Sequence, residues 1–97
     1  MTKLALVATA SLMCLTALPT GARAAGPGFC ADYSRAAVRQ FELARSLPGC
    51  LGGGSARWNP DSQIHYGWCL NVPPGAAVSE REIRTRTIAN CRRRAGY

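Results

Sequence analysis

The sequence predicts an all-α fold: a small, disulfide-stapled antiparallel three-helix domain. Three observations carry this. Apolar residues recur at spacings of three and four on both sides of a short aromatic centre, as they do along helices. Pro- and Gly-rich breaks at Pro48-Gly49 and Val72-Pro73-Pro74-Gly75 divide the periodic runs. Cys30, Cys50, Cys69 and Cys91 are spread over all of these segments.

Residues 1–24 read as a cleaved secretory signal. Lys3 supplies the positive lead, Leu4 to Leu18 the apolar run, and Ala22-Arg23-Ala24 the small residues that signal peptidase reads. A membrane anchor needs roughly 20 apolar residues, which is longer than this run. A lipoprotein acylated at Cys14 is disfavoured by the bulk of Met13. The expected mature chain is residues 25–97, a single domain that is periplasmic or secreted.

That length gives a marginal core on its own. Loss of Cys14 leaves an even set of four cysteines, which in an exported chain implies two disulfides. Each bridge is worth roughly 3 to 4 kcal/mol by chain entropy. A zinc site and a thioredoxin-like site both lack their Cys-x-x-Cys pair, and there is one histidine. No metal or other cofactor is expected. Lys3 is the only lysine, and with it and Arg23 removed the formal charge falls from +7 to +5. A basic exported domain meets anionic envelope polymers or lipid headgroups rather than nucleic acid. Scattered arginines also simply keep a small domain soluble.

Residues 25–28 form a flexible lead-in. The first helix is expected over 29–47, with Cys30, Tyr33, Ala37, Phe41 and Ala44 on one face. Asp32, Arg35, Arg39, Glu42 and Ser46 share the opposite, solvated face, where Asp32 can pair with Arg35 and Arg39 with Glu42. Pro48-Gly49 ends this helix, and a glycine-rich loop, Leu51 to Ser55, follows. A second, short helix is expected over 60–70, with Asn59 as N-cap and Pro60 at the first position. Gly67 weakens it, and a strand over 64–72 is the alternative. The third helix opens on a capping box, Ser79 with Glu82, and runs to about Arg93. Ile83, Thr87, Ile88, Cys91 and Ala95 form its inner stripe, and the pairs Glu80–Arg84 and Glu82–Arg86 its support. Arg92, Arg93 and Arg94 suit the C-terminal end of the helix dipole.

An up-down-up path puts Cys30 and Cys69 at one end and Cys50 and Cys91 at the other. That favours Cys30–Cys69 and Cys50–Cys91, with the other two pairings left open by sequence alone.

The order Cys30-x-x-Tyr33-x-x-Ala36-Ala37-Val38-x-Gln40, Cys50, Gly54, Arg57-Trp58, His65, Trp68-Cys69 and Cys91 resembles a small exported four-cysteine module. Such modules occur in proteobacterial, especially alphaproteobacterial, proteins of unknown role. The resemblance spans nearly all of residues 25–97 and implies compartment and class; it implies no activity.

The centre of the chain is Ala56 to Cys69, which holds both tryptophans and the only histidine. Arg57, Trp58, His65, Tyr66 and Trp68 are the candidate ligand-binding residues. Flat aromatic faces beside hydrogen-bond donors suit sugar rings and charged planar groups. The competing expectation is packing: Trp68 belongs in the core because Cys69 beside it is pinned by a disulfide. Trp58 stands evenly between core and surface, and His65 reads first as a structural histidine. An enzyme is not expected. Ser62 and Asp61 sit too close along a helix to build a hydrolytic unit with His65, and Glu42 with Asp61 is an unsupported glycosidase pair. The function expected is a non-catalytic structural or interaction module contacting envelope glycan or a protein partner. The alternative is a cationic binder using Arg81, Arg84, Arg86, Arg92, Arg93 and Arg94, and a small hydrolase comes third.

Overall fold

The computed structural model describes residues 23–51 and 56–96. Most of the expected signal segment and most of the glycine-rich loop lie outside these residues. Among the described residues there are three helices and no strand: α1 (Pro27–Ser46), α2 (Ser62–Cys69) and α3 (Pro74–Arg94). Residues 64–72 are helix and turn, so the strand alternative is set aside.

Helix α1 starts two residues earlier than the periodicity suggested. Pro27 takes the first turn, where a missing N–H costs nothing, and Gly26 is the N-cap. The lead-in is not loose: Ala25 is buried and its N–H donates to the Val72 carbonyl at 2.9 Å. The buried stripe is Cys30, Tyr33, Ala37 and Ala44, widened by Ser34 and Ala36, while Phe41 is only half-buried. On the far face Asp32 pairs with Arg35. Glu42 pairs with Arg45 at 2.8 Å rather than with Arg39. The helix ends where expected, and Gly49 takes φ 71°, a left-handed conformation that favours glycine.

Helix α2 is capped by Asp61, not Asn59. The Asp61 carboxylate accepts the Gln63 N–H at 2.9 Å. Asn59 acts one step earlier, its side chain accepting the Asp61 N–H at 2.8 Å and shaping the turn into the helix.

Helix α3 begins five residues before the Ser79 capping box. Pro73 is its N-cap and Pro74 its first residue, and the Pro73 carbonyl accepts N–H bonds from Ala76 and Ala77. Ser79 is therefore an exposed interior residue. The inner stripe is Ala77, Arg84, Ile88 and Cys91; Ile83 and Thr87 are half-buried and Ala95 is exposed. Arg84, expected on the surface, is thus part of the interior. Glu82 and Arg86 are both exposed, and no ion pair joins them among the described residues.

Two disulfides staple the domain. Cys30 is bonded to Cys69, separated by 39 residues, and Cys50 to Cys91, separated by 41. The first ties the start of α1 to the end of α2, so these helices run antiparallel. The second ties the chain after α1 to the end of α3, so α3 runs alongside α1 in the same direction. A small cluster of Ala25, Cys30, Tyr33, Cys69 and Ala77 forms the core, with Tyr66, Leu70 and Val72 packed on it. Helix α1 contacts both partners, and α2 and α3 touch each other little. A cleft consequently opens between α2 and α3 with α1 behind it. Among the described residues no helix is long and apolar enough to cross a membrane.

Candidate functional site

The cleft between α2 and α3 has a volume of about 240 Å³. Helix α1 contributes Tyr33, α2 contributes Ile64, His65 and Trp68, and α3 contributes Glu80 and Arg84; the loop before α2 adds Ala56 and Arg57. Three of the five candidate residues, Arg57, His65 and Trp68, therefore meet in one place. Trp58 and Tyr66 do not line it. Trp58 is half-buried in the turn before α2, and Tyr66 packs on the core cluster.

Trp68 departs from its expected place in the core. It is 40% exposed, and Ile64, one turn earlier on the same edge of α2, is 50% exposed. The helix turns Cys69 inward to its disulfide, and that rotation leaves Trp68 at the rim. Its ring lies on Tyr33, with centroids 5.6 Å apart and planes inclined by 36°. The result is a two-ring wall, buried on the Tyr33 side and open on the Trp68 side.

His65 is buried and its Nε2 lies 2.7 Å from the Asn59 carbonyl. A carbonyl only accepts, so Nε2 carries the proton and the neutral ring keeps Nδ1 as an acceptor. This bond closes the turn from Asn59 to His65 and so sets the position of the loop bearing Arg57. Burial holds the imidazole below its ordinary value of 6.5. The Asn59 bond opposes that shift, the Arg84 charge adds to it, and the Asp61 and Glu80 charges oppose it.

Arg57 Nε donates to Glu80 Oε1 at 2.5 Å, tying the loop to α3. The same carboxylate oxygen lies 3.9 Å from Arg84 Nη1. Arg84 itself is 1% exposed. Its Nε donates to Gln40 Oε1 at 2.7 Å, and its guanidinium carbon stands 5.1 Å from the Tyr33 ring centroid. Gln40 is fixed in turn by donating to the Arg81 carbonyl and the Thr85 hydroxyl. Among the described residues, Arg84 Nη2 is the one buried side-chain nitrogen or oxygen with no hydrogen-bond partner.

Asp61, Glu42 and His65 each have a hydrogen-bond partner elsewhere in the fold. Asp61 caps α2, Glu42 bonds to Arg45, and the His65 ring is bonded to backbone. No cluster of three or more metal-ligating side chains occurs among the described residues. Comparison with known proteins finds no matching family model, no similar curated protein and no similar solved structure. The chemistry of the site rests on its own geometry: a small aromatic cleft with two guanidinium groups, one carboxylate and one histidine acceptor.

Tyr33, Ala56, Ile64, Glu80 and Arg84 are the lining residues outside the five candidates read from the sequence. Arg84 had a signal. Ala77, Arg84, Ile88 and Cys91 stand at helical spacings of seven, four and three, so the period places the arginine on the buried face.

Proposed function

We propose that the protein is an exported, non-catalytic interaction module that binds one ring of an envelope glycan, or one planar side chain of a protein partner, in the α2–α3 cleft. The observation that carries this is the exposure of Trp68 beside Arg57 and His65. A domain this short of large apolar residues gains by burying an indole, worth roughly 2 kcal/mol or more. An indole at the rim of a polar-edged cleft, with Ile64 exposed one turn earlier, offers a flat apolar face for a partner ring. The cleft is smaller than the roughly 300 Å³ lower bound for drug-sized ligands, so it takes a single ring rather than an extended chain. The two disulfides support an oxidising compartment, and the likeness to exported four-cysteine modules supports the same location.

Titration of the oxidised protein with purified envelope polysaccharide, followed by isothermal calorimetry, tests this. A saturable change that disappears in Trp68→Ala is expected. Binding that survives Trp68→Ala would remove the cleft from consideration.

A second reading has its own observation. Arg92, Arg93 and Arg94 are all exposed in the last turn of α3, and Arg81 and Arg86 are exposed earlier along the helix. They offer an anionic polymer or lipid headgroup a cationic end. Binding by that route weakens steeply with salt and is indifferent to Trp68.

A further inference from the structure

Arg84 is a buried cation with incomplete compensation. Glu80, its nearest carboxylate, sits closer to Arg57, at 2.5 Å against 3.9 Å. What remains is a neutral amide from Gln40 and the face of Tyr33. Taking a charge out of water costs several kcal/mol unless it is well paired, and an aliphatic side chain of similar volume avoids that cost. Packing alone does not call for a guanidinium here. With Nε held by Gln40, the Nη1–Nη2 edge is the part left for another acceptor. Two parallel N–H donors on a planar edge match the two oxygens of a carboxylate.

We propose that Arg84 is the receptor for a carboxylate carried on a single ring, the ring lying against Trp68 and Ile64. This rests on the cleft being the binding site. Arg84 is closed to solvent, so the incoming acid reaches it by taking over from Glu80. The Glu80 and Arg57 side chains, 22% and 38% exposed, move outward together as a pair. The acid completes the hydrogen bonding of Nη2 and neutralises the buried charge, and desolvation in the cleft strengthens the contact. The ring is either a sugar acid or an aromatic acid, since both present a flat apolar face to an indole.

The test follows the Trp68 indole N–H by heteronuclear NMR in the oxidised protein. The probes are galacturonate and benzoate, each against a neutral counterpart, methyl galactoside and benzyl alcohol. One acid is expected to bind at least about tenfold more tightly than its counterpart, which is a difference of about 1.4 kcal/mol. Which acid does so identifies the ring. Arg84→Met is expected to lose at least tenfold in that acid's affinity. Glu80→Gln, which removes the competing carboxylate, is expected to gain about tenfold. A neutral probe that binds as well as its acid overturns the proposal while leaving the cleft as a binding site. So does acid binding undiminished in a folded Arg84→Met. Should that variant not fold, unchanged or weaker acid binding in Glu80→Gln overturns it. Silence from all four probes with polysaccharide binding retained sinks the carboxylate alone, and silence from polysaccharide as well sinks the cleft.

Discussion

Arg84 holds its guanidinium carbon 5.1 Å from the centroid of the Tyr33 ring, a cation over an aromatic face in the interior of the domain. The contact joins α3 to α1 at the back of the cleft. A buried cation–π contact returns about 2 kcal/mol, less than the several kcal/mol that desolvating a guanidinium costs. Arg84→Met should therefore leave stability within about 1 kcal/mol of wild type, or raise it. Gln40 loses one acceptor contact in that variant but keeps its bonds to the Arg81 carbonyl and Thr85 hydroxyl. Urea unfolding under oxidising conditions measures this. A loss above about 3 kcal/mol would instead make the guanidinium a strut of the fold.

Trp68 and Trp58 should separate by quenching. Trp68 is 40% exposed at the cleft rim, while Trp58 is half-buried in the turn before α2. Trp68→Phe should remove most of the acrylamide-quenchable emission, and Trp58→Phe should remove the less quenchable part. Equal quenching in the two variants would contradict the orientation of α2.

Ser79 offers a cheap check on where α3 starts. A serine that capped the helix would cost about 1 kcal/mol when changed to alanine. An exposed interior serine gains a few tenths of a kcal/mol from the same change, because alanine is the better helix former. Since Pro73 and Pro74 open the helix, Ser79→Ala should be neutral to slightly stabilising in thermal melts.

The helical class and three-helix order were legible because period, breaks and caps agree along most of the chain. The start of α3 was hidden by two competing signals. Ser79 and Glu82 satisfy the capping-box pattern, yet Pro-Pro just upstream suits an N-cap followed by a first helical residue equally well, and the helix took the earlier stop. Arg84 was misplaced because charge outweighed period: an arginine on an apolar stripe reads as surface until its partners on another helix are known. Those partners, Gln40 and Tyr33, are 44 and 51 residues away in sequence, beyond any local pattern. Trp68 was misplaced for the opposite reason. Its neighbour Cys69 is buried, but adjacent helical residues point about 100° apart, so the inward turn of Cys69 does not carry Trp68 with it, and Trp68 is 40% exposed.

The Cys50–Cys91 bridge closes a loop of about 40 residues, which by chain entropy is worth about 4 kcal/mol. It is the one covalent tie between the ends of α1 and α3. Replacing both cysteines by serine should lower Tm by on the order of 20 °C. Adding a reductant to the wild-type protein should do at least as much, because it opens the Cys30–Cys69 bridge as well. A variant melting within a few degrees of wild type would show that helix packing alone holds the two ends together.

His65 should give stability a dependence on pH just below neutrality. Its folded-state value lies below the ordinary 6.5, first because the ring is buried and further because Arg84 is nearby. As pH falls, the unfolded chain therefore takes up the proton before the folded one. Stability is full above about pH 6.5 and declines as pH drops below it, levelling off once the folded ring is protonated too. The window from about pH 7.5 to 5.5 brackets the ordinary histidine value. Protonation adds a proton at Nδ1 and leaves the Nε2–H bond to Asn59 in place. The turn should accordingly persist, with the cost arising from a second positive charge in the interior beside Arg84. Urea midpoints measured across this window should fall for wild type and stay level for His65→Gln, whose amide can still donate toward Asn59. A wild-type midpoint that is flat, or that rises on acidification, would mean that the ring titrates in water rather than in the wall of the cleft.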